Sequence, residues 1–126
     1  YCSLIPPLVT DGMPSLLKQS KAKFVYVAGD GYDEIGEVGP TKLSEFISEL
    51  EGYLPRELDA VLVSNSTLSE RQLEIYEEKG WLRMDDDIDG DQGGKIVREH
   101  LQRRTTFGLG SPYIGKALQE IIKRIA

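Results

Sequence analysis

A loop rich in glycine and acidic residues follows the first strongly apolar run of the chain. Residues 29–37, called the glycine loop below, combine three glycines with four acids: Gly29, Gly31, Gly36, Asp30, Asp33, Glu34 and Glu37. A dinucleotide-binding fingerprint needs G-x-G-x-x-G, and Gly36 comes too late after Gly31 to complete it. The same two glycines have the spacing of a P-loop, but Glu37 and Val38 stand where that motif needs a lysine and a hydroxyl. Neither phosphate-binding motif is therefore present.

The charges of the glycine loop favour hydroxyl groups over phosphate. Its acids repel a bare phosphate, and the nearest basic residue downstream is Lys42. In an open parallel sheet, ligands bind beyond the carboxyl ends of the strands, where carboxylates suit sugar or ribose hydroxyls. The loop is therefore predicted to form the acidic side of a ligand site whose phosphate-binding part lies elsewhere. The alternative is a solvated turn.

A second acidic stretch, "DDDIDGDQGG", has part of a calcium-binding pattern. Asp85, Asp87, Asp89 and Gly90 match the first half of an EF-hand loop, D-x-D-x-D-G. The twelfth position of that loop needs a bidentate glutamate, and here it is Ile96. We therefore expect a solvated loop over residues 85–91, called the acidic loop below, and we predict no metal site.

A basic cluster comes directly after the acidic loop. It contains Lys95, Arg98, Arg103 and Arg104, with the only histidine of the chain, His100, among them. Such residues can bind a phosphate that another part of a site supplies. They can also pair with the acidic loop just upstream, and this is the more common arrangement for surface charges. His100 has no partner residue at catalytic spacing, so the catalytic residues stay unassigned.

Strands and helices alternate along the chain and must position these loops. Strands are predicted at 24–28, 58–65 and 81–84, and helices at 11–20, 41–52, 69–80 and 111–126. The apolar residues of the second helix, Leu43, Phe46, Ile47 and Leu50, have clear helical spacing. The first strand is predicted to be central, and residues 95–104 are ambiguous.

This alternation predicts an α/β fold. It indicates βαβ units, and hence a parallel, Rossmann-like sheet of about three to four strands with helices on both faces. Residues 1–126 are predicted to be a single α/β domain, or the C-terminal fragment of a larger nucleotide-binding protein.

The composition excludes several classes of function. A chain of 126 residues that is 40% hydrophobic and 29% charged is expected to fold as a globular domain. Its net charge of -6 disfavours nucleic acid as a partner. Cys2 is the only cysteine, so an internal disulfide is excluded and a cytoplasmic location is expected. No apolar run approaches the roughly 20 residues that span a bilayer, so no membrane association is expected.

Four stretches, taken in order, resemble one protein family. They are "CSLIPPLVTDGMPSLLKQSKAKFVYVA", "GEVGPTKLSEFISELEGYL", "DAVLVSNSTLSERQLEIYEEKG" and "SPYIGKALQEIIKRI". In the second stretch, Gly36 and Glu37 match the start of a Gly-Glu-Thr segment of that family. On these residues the chain resembles the superfamily of phospholactate transferases and the related gluconeogenesis-factor proteins that bind UDP-sugars. The likeness is to the C-terminal half, so the family's glycine-rich nucleotide loop is expected to precede Tyr1.

The resemblance implies a protein that binds a nucleotide diphosphate or a UDP-sugar and has a regulatory role in carbon or cell-envelope metabolism. Together with the position of the glycine loop after a predicted strand, the resemblance gives Ser3, Gly29, Asp30, Gly36 and Glu37 as the predicted ligand-binding residues. Mg²⁺ bound together with a nucleotide diphosphate is the one cofactor implied, and a homo-oligomer is left open. One alternative is a transferase that moves a phospholactyl-type group from a nucleotide diphosphate, with Asp30 or Glu37 near the reacting group. The other is a non-catalytic interaction module that uses the acidic loop and the basic cluster.

Overall fold

The computed structural model describes residues 3–33, 39–102 and 108–126. Its helices and strands are, in chain order, α1 (Ile5–Val9), α2 (Met13–Gln19), β1 (Val25–Val27), β2 (Gly31–Asp33), α3 (Leu43–Tyr53), β3 (Ala60–Ser64), α4 (Glu70–Glu78), β4 (Trp81–Arg83), β5 (Ile96–Glu99) and α5 (Ser111–Ile125). Among these described residues, no helix combines the length and the apolar character that crossing a lipid bilayer would need.

Three strands form a parallel sheet with β3 in the middle. β1 pairs with β3, with Val25 opposite Ala60, and β3 pairs with β5, with Val61 opposite Ile96. The predicted α/β fold with a parallel sheet is therefore confirmed, and the ambiguous segment 95–104 contributes β5. The prediction that the first strand is central is wrong, because β1 lies at an edge of the described sheet. Helices cover both faces of all three strands, so apolar character does not distinguish an edge strand from a central one.

The side chains of β3 point alternately to two apolar layers. Val61 and Val63 pack against Leu50 of α3 on one face of the sheet. Leu62 packs against Ile121 of α5 on the other face. Leu62 has no exposed surface, and full burial of a leucine side chain stabilises a fold by about 1.5–3 kcal/mol. The prediction of helices on both faces of the sheet is therefore confirmed.

A second, two-stranded sheet joins the glycine loop to the segment after α4. β2 and β4 are antiparallel, with Gly31 opposite Arg83. Residues 81–84 were predicted to be a strand, and β4 is one, but it lies outside the parallel sheet. Glycine is required at position 31 because a Cβ atom there would lie 2.8 Å from the carbonyl oxygen of Leu82. The pairing thus explains one glycine of the loop by a close backbone contact, and it brings Arg83 beside Asp30.

The acidic loop is attached to two elements of the fold through its carboxylates. Asp87 accepts hydrogen bonds from the backbone N–H and the hydroxyl of Ser44 in the first turn of α3, at 3.0 and 2.6 Å. Asp86 accepts two hydrogen bonds from Arg98, at 2.6 and 2.9 Å, and Arg98 also donates to two carbonyl groups of the loop. The hydrogen bonds from Arg98 hold the pKa of Asp86 below its ordinary value. The predicted pairing of the basic cluster with the acidic loop is confirmed at Arg98.

Candidate functional site

A polar cavity of about 330 Å³ lies beyond the carboxyl ends of β1 and β3. Residues from three segments line it, among them Gly29, Asp30, Ser64, Asn65, Thr67 and Arg83. Gly29 and Asp30 follow β1, and Arg83 is the last residue of β4. The other three belong to the end of β3 and the loop after it. In a parallel sheet this edge is where ligands bind. The cavity is therefore at the edge of the sheet where the sequence predicts a ligand site.

The carboxylate of Asp30 is buried beside the cavity and accepts three hydrogen bonds. Its side chain is only 6% exposed. Oδ2 accepts from the hydroxyl of Tyr76 at 2.5 Å and from Nε2 of Gln102 at 2.9 Å, while Oδ1 accepts from Nη2 of Arg83 at 3.0 Å. A buried carboxylate needs such donors because burying it unpaired would be strongly unfavourable. Asp30 borders the cavity, as its predicted role requires, but its oxygens are bound within the protein.

Arg83 brings a positive charge to the cavity, and the sequence interpretation missed it. Its side chain is 37% exposed. Nη2 donates to Asp30 Oδ1 and to the backbone carbonyl oxygen of Ser66, both at 3.0 Å. Arg83 and Asp30 are 53 residues apart in the sequence, and only the pairing of β2 with β4 brings them together. No local pattern in the sequence could indicate this contact.

Ser66 connects the ends of β3 and β5. Its buried hydroxyl oxygen accepts hydrogen bonds from the backbone N–H of Gln102 at 3.2 Å and from the Ser64 hydroxyl at 3.0 Å. It also lies 3.1 Å from Nδ1 of His100. The amide oxygen of Gln102 is buried as well, and none of the described residues donates to it. A buried acceptor of this kind is ordinarily bound by ordered water or a ligand.

The predicted ligand-binding residues do not all come together. Gly29 and Asp30 meet at the cavity. Ser3 is exposed and lines a different cavity of about 360 Å³, beside the residues that precede β1, and therefore at the opposite end of that strand. Gly36 and Glu37 lie outside the described residues, so their part in ligand binding stays a prediction.

The basic cluster contributes no described cation to the cavity lining. Nζ of Lys95 lies 2.8 Å from Oε1 of Glu51, and Arg98 is bound to the acidic loop. Arg103 and Arg104 lie outside the described residues. Within the ranges 3–33, 39–102 and 108–126, no three His, Cys, Asp or Glu side chains come together as a metal-binding group.

Two buried tyrosines predict a loss of stability at alkaline pH. Burial raises the pKa of Tyr26 to about 12. Burial, together with the hydrogen bond to Asp30, raises the pKa of Tyr76 to about 12. Both values lie above the ordinary value of 10.0, so the folded chain keeps these protons at a pH where the unfolded chain loses them. Their contribution to stability is therefore complete below about pH 10 and is lost as the pH rises through about 12.

Urea unfolding at about pH 9 and about pH 11 measures this effect. We expect the wild type to have a lower free energy of unfolding at about pH 11 than at about pH 9. This difference between the two pH values should be smaller in the variants Tyr26→Phe and Tyr76→Phe. Comparison between variants is needed because other groups also titrate in this range. A pH difference that is the same in wild type and in both variants would contradict the assignment.

The chain is similar in sequence to a protein of Thermotoga maritima that is described as "Putative gluconeogenesis factor". The two are 36% identical over 80 residues, which are 64% of this chain and 25% of the relative. No protein-family model matches the chain.

The chain is also similar in fold to solved structures from Bacillus halodurans. The crystal structure of a member of the UPF0052 family aligns with a TM-score of 0.75 and 16% identity, covering 94% of this chain and 38% of the other. A second crystal structure from that organism aligns with a TM-score of 0.68 and 16% identity, covering 91% and 38%. This chain therefore spans less than half the length of each of these three matches, and the structural likeness shows a shared fold.

Proposed function

Because the resemblance to the phospholactate transferase and gluconeogenesis-factor superfamily is confirmed, we propose that this chain forms one wall of a site for a nucleotide diphosphate or a UDP-sugar. The observation that carries the proposal is the polar cavity at the carboxyl edge of the parallel sheet, beside Gly29 and Asp30. Nucleotide ligands lie at this edge in open α/β sheets. For the whole protein we propose a regulatory role in carbon or cell-envelope metabolism, on the basis of the superfamily.

Three side chains of the cavity lining support recognition of hydroxyl groups. Asn65, Thr67 and Asp85 line the cavity, and their side chains form no hydrogen bond with another described residue. An amide, a hydroxyl and a carboxylate together offer donors and acceptors that match the hydroxyls of a ribose or a hexose. This agrees with the ligand chemistry that the acidic character of the glycine loop predicts.

Isothermal titration calorimetry of the full chain with UDP-glucose, UDP and GDP tests the proposal. Mg²⁺ is included because nucleotide phosphates commonly bind together with it. We expect Asp85→Asn to weaken the binding of UDP-glucose by about tenfold, since an amide oxygen accepts a hydrogen bond from a hydroxyl more weakly than a carboxylate does. Asp11→Asn, a change of an exposed aspartate that does not line the cavity, should bind like the wild type.

Two results of this experiment would count against the proposal. One is the absence of binding for all three nucleotides, and the other is equal affinity of Asp85→Asn and wild type for UDP-glucose. Glu37→Ala is measured in the same series, because Glu37 is a predicted ligand-binding residue outside the described residues.

A further inference from the structure

Arg83 carries a positive charge at the cavity, and we propose that it binds a phosphate group of the ligand. The inference rests on the proposed function and deepens it, since it assigns the anionic part of a nucleotide diphosphate to this chain. The glycine loop lacks a phosphate-binding motif. Lys95 is bound to Glu51 and Arg98 to Asp86, and neither of these two cations lines the cavity. Arg83 is the cation of the described lining that has donors to spare.

The guanidinium group of Arg83 is held in one orientation by two acceptors. Nη2 donates to Asp30 Oδ1 and to the carbonyl oxygen of Ser66, both at 3.0 Å. Nε and Nη1 donate to no other residue that the structure describes, so they are available to a ligand. A planar guanidinium matches the oxygens of a phosphate. Because this arginine is already oriented, binding costs less side-chain entropy than it would for a free surface arginine.

Asp30 is the positioning residue for Arg83. Tyr76 and Gln102 hold Oδ2 of Asp30 at 2.5 and 2.9 Å, so the carboxylate cannot turn away from the guanidinium. Tyr76 and Gln102 are neutral donors, so Asp30 and Arg83 form a pair without net charge, and the phosphate is bound through the guanidinium donors that Asp30 leaves free. The buried carboxylate of Asp30 thus fixes the orientation of the guanidinium, and the partly exposed guanidinium of Arg83 contacts the ligand.

Two more carboxylates in the lining restrict which anions fit. Asp86 is paired with Arg98 through two hydrogen bonds, at 2.6 and 2.9 Å. Asp85 is exposed, so water and salt screen its repulsion of a phosphate, while its oxygens can accept hydrogen bonds from hydroxyls. The cavity therefore suits a ligand that has hydroxyl groups next to its phosphate, as a nucleotide or nucleotide-sugar does.

Titration of the full chain with inorganic pyrophosphate and with UDP tests the role of Arg83. Two variants are compared, Asp30→Asn and the double variant Asp30→Asn/Arg83→Gln. They differ only in the guanidinium group. Asp30 is changed in both because removing Arg83 alone would leave a buried carboxylate without its ion-pair partner. We expect the double variant to bind both anions at least about tenfold more weakly, because charge-assisted hydrogen bonds are lost. Its pyrophosphate affinity should also depend less steeply on salt concentration.

Two single variants complete the series. Arg83→Lys keeps a positive charge beside Asp30 but loses the planar fork, so it should also bind UDP more weakly than the wild type. Arg71→Gln removes an exposed arginine of α4 that pairs with Glu74, and it should bind like the wild type. Circular dichroism of each variant tests whether the fold is retained.

The outcomes separate this inference from the proposed function. If the wild type binds UDP and the two matched variants bind it with equal affinity, the role of Arg83 is refuted and the nucleotide site is retained. Suppose that pyrophosphate binding depends on Arg83 but UDP binds no more tightly than pyrophosphate. This result would support phosphate binding by Arg83 and refute a nucleotide site. If the wild type binds neither anion, both proposals are refuted.

Discussion

Replacing Asp30 with alanine is expected to lower the free energy of unfolding by about 3–5 kcal/mol. The buried carboxylate accepts hydrogen bonds from Tyr76, Arg83 and Gln102. Its removal leaves the tyrosine hydroxyl and the glutamine amide without an acceptor in a buried place, and the arginine without its ion-pair partner. Each buried donor left unsatisfied costs about 1–3 kcal/mol, which is why the total exceeds the effect of an ordinary surface substitution.

Urea unfolding near neutral pH measures this loss of stability. The control is Asp11→Ala, a change of an exposed aspartate that should alter the free energy of unfolding by less than about 0.5 kcal/mol. A loss below about 1 kcal/mol in Asp30→Ala, similar to a surface substitution, would mean that the network around Asp30 is not formed in solution.

Gly31→Ala is expected to lower the free energy of unfolding by about 1–3 kcal/mol. A Cβ atom at this position would lie 2.8 Å from the carbonyl oxygen of Leu82 and 3.1 Å from Cε1 of Tyr76. The carbonyl belongs to the backbone of β4, which is paired with β2, so it cannot move without disturbing that pairing. The added methyl group therefore separates the two strands or displaces the tyrosine ring that binds Asp30.

Gly29→Ala is the matched control for this prediction. A Cβ atom at position 29 would meet its nearest neighbour, the carbonyl oxygen of Gly31, at 3.7 Å, which is an ordinary contact. Its effect on stability should stay within about 0.5 kcal/mol. Thermal and urea unfolding measure the stabilities of Gly31→Ala and Gly29→Ala. Equal stabilities would show that β2 and β4 do not pair closely.

The fold could be predicted because its main elements have local signals. The apolar spacing of Leu43, Phe46, Ile47 and Leu50 predicts the buried face of α3, and all four are buried. The apolar run of β3 predicts a strand covered on both faces, and its first four residues are buried. The order of the strands in the sheet has no such signal, since it depends on how the helices pack.

The candidate site could be predicted only in part. Asp30 was identified because it follows a buried strand, and the carboxyl end of a parallel strand is a general ligand position. Arg83, Ser66 and Gln102 were missed because their relation to Asp30 is purely tertiary. Arg83 ends a strand of the second sheet, and Gln102 lies in a segment whose structure was ambiguous. The local sequence around these three residues carries no pattern that marks a site.

The separation of the Asp30 contacts along the chain bears on when the hydrogen-bond network beside the cavity can form. Its partners Tyr76, Arg83 and Gln102 are 46, 53 and 72 residues away. Contacts between such distant residues form slowly, because closing long loops costs conformational entropy before any contact stabilises them. A chain in which β5 has not yet joined the sheet lacks Gln102 beside Asp30, so the hydrogen-bond network that orients Arg83 is incomplete. The helices can form early, but the complete network holds Arg83 in its orientation only when the last strand has docked.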